Sequence, residues 1–499
     1  MPTVRLPSLL RRFAEGASEV EVEAASLSEV IASLVTVHPG LRPRILDADG
    51  ALAGHVLVLH RGELVKPEHL DGAEFDPSER VDLLLPISGG AFDVRMRGFR
   101  ERATVEAALE AALDGVVPLE GELVASARAV DRVLVDDVVS EVAIPPFRRA
   151  AMDGYAVRAE DTFGATPYDP ITLPVVGSSM PGVGPDAPMG PGEALRIMTG
   201  APVPDEADAV VKAEDAVAAG DTVEVRDAVA VARHVGRVGE DIDVGETVLP
   251  AGRRLRAQDV GLLVSIGRVD VVVRRRPRVR IVVSGDELRA PGSQPGGFQI
   301  VDSNSVMLDA LITRDGGCVE VVRVPDEEAA MRAALSAGDV DVIVTSGAAS
   351  VGAEDRVPLL VGEMGDLVVH GVAMRPSSPT GVGRIDGIPV LILPGNPVSS
   401  LVAYEFFAGP VVRRLGGRPT GWPHRTARLP LGERLVSQVG RVDYARVRVT
   451  DGQVFPIAIS GASRLSSLTE ADGFVVVPRD LEGHPIGAEV EVGFFEGIA

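Results

Sequence analysis

RVRIVVSGDEL, residues 278–288, opens the stretch that decides the fold, because from there to residue 415 short apolar runs and amphipathic runs alternate. The apolar run reads as a buried strand ending in a loop with two carboxylates, Asp286 and Glu287. Residues 304–314 carry apolar residues at helical spacing, with Asp302 and Ser303 ahead of them as cap candidates and Gly316-Gly317 as the stop. Strand CVEVVRV follows at 318–324, and Asp326 is placed to cap the next helix. A third short strand at 341–344 runs into TSGAASVGAED (345–355). Finally PVLILP (389–394) feeds GNPVSS and a long apolar helix predicted to reach residue 415. This alternation predicts a doubly wound, mostly parallel sheet with helices on both faces. Ligands of such sheets bind outside the carboxyl ends of the strands, where SGDEL, SGAASVGAED and LPGNPVSS all fall.

Length and charge bound what surrounds that sheet. At 499 residues the chain is too long for one core, and length alone predicts about three or four domains. No apolar run is long enough to span a bilayer and the first residues lack the pattern of a secretion signal, so a soluble, cytoplasmic protein is expected. Cys318 is the single cysteine; it can form no internal disulfide, and its apolar strand predicts a core position. Lys+Arg 49 against Asp+Glu 72 gives a net charge of -23, which argues against nucleic acid, since phosphate backbones need a cationic face. A small anionic substrate would need local arginines, glycine-loop amides or a divalent cation to offset that field.

Residues 1–90 read as a separate module. An alternating strand at 3–6 precedes a helix at 28–37 whose Val30, Ile31, Leu34 and Val35 form one stripe, closed by Pro39-Gly40. A hairpin about Arg61-Gly62 and a last strand, VDLLLPISGG, follow. Strand, helix, hairpin and a terminal strand with a Gly89-Gly90 tail resemble the ubiquitin-like sulfur carriers of β-grasp fold, in particular the small subunit of molybdopterin synthase. A tail without side chains can thread into a narrow partner site and present its carboxylate. The resemblance implies the large subunit of that synthase and its adenylating enzyme as partners. Gly90 is followed by more chain, however, so a live carrier requires cleavage there, whereas a retired carrier leaves Gly-Gly as linker.

Beyond residue 99, Thr104 is a cap candidate for a helix carrying Val105, Leu109 and Leu113 on one face, and 133–142 reads as a strand or extended segment. IPPFRRAAMDGYAV (144–157) is a loop that packing does not explain. A Gly/Pro-rich β region follows, with strands in ITLPVVG, EALRIMTGAPVPDEADAVVKAED and VEVRDAV. RVGEDIDVGETVLPAG (237–252) then leads to a helix at 258–267, as expected when one β domain is inserted into another domain.

MDGYA, IMTGAPVP, VGEDI, SGDEL, ASVGAED, LPGNPVSS and SGASRLSSL (460–468) stand in the order found in the molybdopterin molybdenumtransferases, which the chain resembles from about residue 99 to 499. These enzymes insert molybdate into adenylylated molybdopterin with release of AMP. The resemblance implies an extended domain (91–147 and 236–275), an inserted β domain (148–235), an α/β molybdopterin-binding domain (276–417) and a C-terminal β-barrel domain (418–499). It also implies a homodimer whose active site lies between the α/β domain of one subunit and the inserted domain of the other. Catalytic roles fall on Glu287, Asp355, Asp153, Asp241 and Asp326, with Glu287 and Asp355 holding a divalent cation, Mg2+. Substrate binding falls on Thr199, Ser284, Gly285, Ser346, Gly347, Ser350, Gly352, Arg375, Pro394, Gly395, Asn396 and Pro397. Glycines 347, 352 and 395 let backbone amides approach phosphate, and the helix after Pro397 turns its positive end to an anion. Each carboxylate taken alone also reads as a solvated loop or helix cap; their joint occurrence carries the case.

Two departures bear on the site. GAASVG stands where the family reads GGVSVG, so Ala348 replaces a glycine, and RPSSP (375–379) stands for KPGKP, so Arg375 keeps one charge while Ser378 removes another. Arg148, Arg149 and Arg356 are candidates to compensate. Two rival functions stay open, a molybdopterin adenylyltransferase-like enzyme and a non-catalytic pterin-binding scaffold. The inserted domain and MDGYA argue against the first, and the retained carboxylates against the second.

Overall fold

The computed structural model describes residues 2–6, 8–11, 13–47, 50–53, 56–60, 63–65, 70, 76, 80–84, 102–336, 338–347, 356–458 and 461–495. Gly89, Gly90, Ala348, Ser350, Gly352 and Asp355 lie outside them, as does the turn at Arg61-Gly62. By its contacts the chain forms two compact units, 121–274 and a discontinuous one of 1–120 with 275–499.

The first residues build a five-stranded sheet in the order Glu19–Glu21, Thr3–Arg5, Arg80–Leu84, Leu57–His60, Glu63–Val65. Its first and last strands by sequence lie side by side and parallel, Val4 opposite Val81, while the other pairs are antiparallel. Helix Leu27–Val37 buries Leu27, Val30, Ile31, Leu34 and Val35, the stripe expected from the spacing. It starts where it does because Ser26 Oγ accepts the Glu29 N–H and Glu29 Oε2 accepts the Ala25 N–H, a reciprocal cap that satisfies donors the helix itself cannot. Val4, Leu6, Val58, Val81 and Leu83 complete a core separate from the rest.

Within 121–274, strands Gly121–Ala125 and Asp270–Arg274 pair antiparallel, and helix Ala257–Ser265 packs Leu263 against Leu134, Leu249 and Leu255. A seven-stranded sheet holds Gly154–Val157 between Ala194–Ile197 and Ala209–Lys212. Period-2 alternation separates its two faces: Val157, Ala194 and Val211 enter one core, Ala156, Leu195 and Val210 another.

The α/β part is assembled from β1 (Arg278–Ser284), α1 (Asn304–Arg314), β2 (Cys318–Val324), α2 (Glu328–Leu335), β3 (Val342–Ser346), α3 (Val357–Met364), β4 (Asp366–His370), β5 (Gly381–Ile385) and β6 (Ile388–Leu393). The sheet order is β2-β1-β3-β6-β5-β4. The first four strands are parallel, and β5 and β4 extend the sheet antiparallel. Val279, Ile281 and Val283 face Leu308 and Ile312 of α1, whereas Val282, Ile343 and Ile392 face Met331 and Leu335 of α2 and Val357 and Leu360 of α3. Burying each such side chain contributes about 1.5–3 kcal/mol. Helix Val105–Leu113, capped by Thr104 Oγ1 on the Ala107 N–H, buries Val105, Ala108 and Ala112 in the α1-side core; Leu109 and Leu113 pack at its margin.

Four expectations need correction. Cys318 is exposed, because it begins the edge strand β2. Ser303 makes no cap hydrogen bond; Asp302 Oδ1 instead accepts the Ser305 N–H at 3.0 Å. Asp326 does not cap α2, whose N-cap residue is Glu327 and makes no side-chain cap hydrogen bond. The helix after LPGNP runs to Leu415 in three pieces, Pro397–Ala403, a π-helical turn Tyr404–Ala408 and Gly409–Leu415.

Against this helical run lies a buried ion network. Arg314 Nη1 and Nη2 donate to Glu405 at 2.7 and 3.2 Å, and Asp315 Oδ2 accepts from Arg413 Nη1 at 2.7 Å and Tyr404 Oη at 3.0 Å. His424 Nε2 lies 3.2 Å from Glu405 Oε1, an ion-pair distance without hydrogen-bond alignment. Burial pushes the Glu405 carboxyl up, but His424 and Arg314 more than offset this and leave it below its ordinary value.

The last strands follow the path Met374–Arg375, Val442–Thr450, Gly473–Val477, Glu489–Phe494, Arg425–Pro430, with Gln453–Ala458 on the flank of Val442–Thr450. A bridge between Leu431 and Val454 and the bond from Gly432 N–H to Val454 O, 2.9 Å, bring the path back on itself. Leu431, Val447, Val454, Val475 and Val492 fill the interior.

Candidate functional site

The chain leaves β1 toward β2 on one side and returns to β3 on the other, so the loops after β1 and β3 diverge at their carboxyl ends and leave a crevice. A cleft of about 730 Å³ occupies this position. Ser284, Gly285 and Glu287 line it from the loop after β1, Ser346 and Gly347 from the end of β3, and Pro394, Gly395, Asn396 and Pro397 from the loop after β6. Asp326, after β2, also lines it. Most of the residues expected to bind substrate in the α/β part are thus brought to one place.

Local backbone explains why glycines stand here. Gly347 has φ +97°, and a Cβ there would lie 2.9 Å from Ser284 O. Any side chain would therefore strain the backbone and wedge apart the two strand ends that define the crevice. The loops after β1 and β2 are tied reciprocally, Asp286 N–H to Asp326 Oδ2 at 3.2 Å and Asp326 N–H to Asp286 Oδ1 at 3.3 Å. That tie is what Asp326 does in place of capping α2.

Sequence reasoning missed Asn304. This residue is 9% exposed, and its Nδ2 donates to Gly395 O at 2.7 Å and Ser346 Oγ at 3.0 Å. One amide at the start of α1 therefore holds the ends of β3 and of the loop after β6. Its position directly behind the Asp302 cap was the available signal, since an asparagine gains little at a helix's first turn unless its amide is used elsewhere. Asp302 is itself fixed by Ser305 N–H and by Arg323 Nη2 at 3.0 Å.

Arg375 lies elsewhere. Its Nη2 donates to Asp443 Oδ2 at 2.6 Å, and this fully buried carboxylate also accepts from Ser437 Oγ at 2.8 Å. Arg375 lines a separate hollow of about 270 Å³ with Arg434. Ser378 donates to Val372 O. Of the proposed compensating arginines, Arg148 donates to Pro204 O and Ala207 O and Arg149 pairs with Glu240 at 3.2 Å; Arg356 is exposed just ahead of α3.

In the unit 121–274, Asp153 and Thr199 meet. Asp153 Oδ1 accepts the Thr199 N–H at 2.7 Å and its hydroxyl at 2.8 Å, and these two donors hold the Asp153 carboxyl below its ordinary value. Asp241 is exposed, and its N–H donates to Ile144 O.

Carboxylate oxygens are the donors a hard divalent cation takes, and Mg2+ needs only one or two of them beside water and phosphate oxygens. Glu287 and Asp326 supply two to the cleft; among the described residues no three ligating side chains gather. Backbone amides, hydroxyls and the start of the 397–415 helical run supply what an anion takes. The cleft is thus suited to a ligand with phosphate or oxyanion groups.

Comparison with known proteins agrees with that chemistry. Residues 103–267 match the MoeA N-terminal region (domain I and II), 280–414 the probable molybdopterin binding domain, and 428–495 the MoeA C-terminal region (domain IV). Molybdopterin molybdenumtransferase 2 of Mycobacterium tuberculosis (strain ATCC 25618 / H37Rv) is 38% identical over 377 residues, covering 72% of this chain and 91% of the relative. The molybdopterin molybdenumtransferase of Synechococcus elongatus is 33% identical over 391 residues, covering 75% and 95%. The crystal structure of the molybdopterin biosynthesis MoeA protein from Pyrococcus horikosii aligns with TM-score 0.69 at 33% identity, covering 80% of this chain and 100% of that one. The chain therefore belongs to the molybdopterin molybdenumtransferase family.

Proposed function

We propose that this transferase inserts molybdate into adenylylated molybdopterin, releasing AMP and forming the molybdenum cofactor. One observation carries the reading: exposed carboxylates and anion-binding backbone converge on the same cleft, as a reaction joining an oxyanion to a phosphoanhydride substrate requires. The amides about Gly347 and Gly395 and the hydroxyls of Ser284 and Ser346 hold the substrate's anionic oxygens. Glu287 orients water or molybdate, a role shared with Asp355, and both hold Mg2+ when it is bound. That cation supplies neutralising charge on the phosphates. Asp326 fixes the loop that carries Glu287.

The Asp153–Thr199 pair and Asp241 act, in this reading, in a homodimer whose site joins the inserted domain of one subunit to the α/β domain of the other. An ionised Asp153, favoured by its two Thr199 donors, suits that role. The module 1–90 is a β-grasp sulfur carrier, supported by its sheet order with parallel first and last strands and by the helix Leu27–Val37, whose stripe is buried in its core. Its activity requires cleavage after Gly90, and mass spectrometry of protein from its own cell should then find a thiocarboxylated 90-residue fragment.

The reaction is tested by AMP release from adenylylated molybdopterin. Release is expected only with molybdate and a divalent cation present; undiminished release in chelator would sink the metal assignment, and none under any condition the reaction itself.

A further inference from the structure

Buried amides are costly unless used, and Asn304 is used in an unusual way. Gly395 O is a backbone acceptor with no proton, so the nitrogen of the Asn304 amide, not its oxygen, must face it. That choice places the second Nδ2 proton on Ser346 Oγ. Asn304 Oδ1 is left enclosed without a hydrogen-bond partner, an arrangement that lowers stability rather than raising it. Packing alone would favour an apolar side chain here, so the amide is retained for what its protons do.

We infer that Asn304 is a positioning residue that sets the polarity of the cleft floor, by making the Ser346 hydroxyl a donor to an anionic oxygen of the substrate. The inference rests on the proposed reading of the cleft as an anion site. A serine hydroxyl has one proton and two lone pairs. Nδ2 carries no lone pair to receive that proton, so Ser346 can only accept from Asn304. Ser346 is 3% exposed and lines the cleft beside Ser284 and Gly347, and among the described residues no other group takes its proton. The O–H is therefore left for the ligand. The same amide takes up one of the two lone pairs of Gly395 O.

Replacing the donor by an acceptor of the same shape reverses this. In Asn304→Asp the carboxylate takes the Ser346 proton and faces Gly395 O, so the floor loses its donor. The experiment is calorimetric binding of molybdopterin and of AMP to the full chain, with kcat and KM for adenylylated molybdopterin and thermal melting in parallel. Asn304→Asp is expected to weaken binding of at least one probe about 10- to 100-fold, the range for a hydrogen bond to a charged group. Ser346→Ala should do likewise, and the double variant should be no weaker than Asn304→Asp alone, since both remove one donor. Asn304→Leu, which leaves Ser346 free to rotate, should lie between wild type and Asn304→Asp. Losses that multiply in the double variant, or a lowered melting temperature with unchanged affinity, would overturn the inference and leave Asn304 a structural residue. A wild type that binds molybdopterin yet never releases AMP would refute the proposed reaction, while the variant series on binding still decides on Asn304. Binding of neither probe by the wild type would overturn both.

Discussion

The helical run 397–415 touches two polar clusters that are built on opposite terms. At its start, Asn396 and Pro397 border the cleft, where Glu287 and Asp326 are exposed and neutral hydroxyls line the floor. Further along, Glu405 and Asp315 are each 1% exposed at the side chain and meet Arg314 and Arg413. In the second cluster both carboxylates and Arg413 are desolvated and each charge is answered by another, so the protein itself is the ligand. In the first, charge stays near water and keeps its coordination for something else. Carboxylates that look alike in sequence thus divide into structural and available by what surrounds them.

The sharpest way to break this contrast is Asp315→Ala. It leaves the buried Arg413 without a carboxylate, while Arg314 keeps Glu405, and should destabilise the α/β core by about 3–5 kcal/mol, read from urea unfolding; a loss below about 1 kcal/mol would mean that the network is not a unit. Glu287→Ala and Asp355→Ala should do the reverse, lowering AMP release roughly 100-fold or more while stability changes by about 0.5 kcal/mol or less. Unaltered turnover in both would remove their assigned roles.

Acid sharpens the comparison with a smaller effect. The folded-state pKa of Glu405 is depressed, so its contribution is complete above the ordinary carboxylate range and is lost as pH falls through the lower folded value. In His424→Ala one depressing group is gone, so the acid limb of the melting-temperature profile should still start in the ordinary carboxylate range but end at higher pH with a smaller total loss. An unshifted limb would show that Arg314 alone holds the charge. Smallest of all, Thr199→Val removes one of two donors to Asp153 Oδ1. The Asp153 carboxyl should titrate higher by carboxyl-carbon NMR, with the unit 121–274 still folded.

The parallel sheet was legible because its strands are short apolar runs separated by helices with helical spacing, and that pattern is local. The cleft was legible as loops at strand ends. Illegible were the contacts made across the sequence. By charge alone Arg375 suits a substrate-facing position, but Asp443, a residue far along the chain, claims it. In sequence Asp326 reads as a cap because a cap is the local use of such a residue; its partner Asp286 lies on another loop. The apolarity of its strand suggests a core place for Cys318, but apolarity does not tell an edge from a centre. Asn304 gave its signal only as the neighbour of a cap.

Helix Val105–Leu113 precedes residues 121–274 in the chain, yet Ala108 and Ala112 find their core among residues from 279 onward. During synthesis the unit 121–274 can close as soon as it emerges, since its cores are built from its own residues. The earlier helix must wait for everything in between, a delay on the order of ten seconds at ordinary translation rates. For that interval its apolar face has no partner, and a chaperone has something to hold. Ribosome-bound chains carrying residues up to 274 followed by a flexible linker long enough to bring 274 clear of the ribosome should accordingly yield a protease-resistant fragment of 121–274 and lose 102–120 at once.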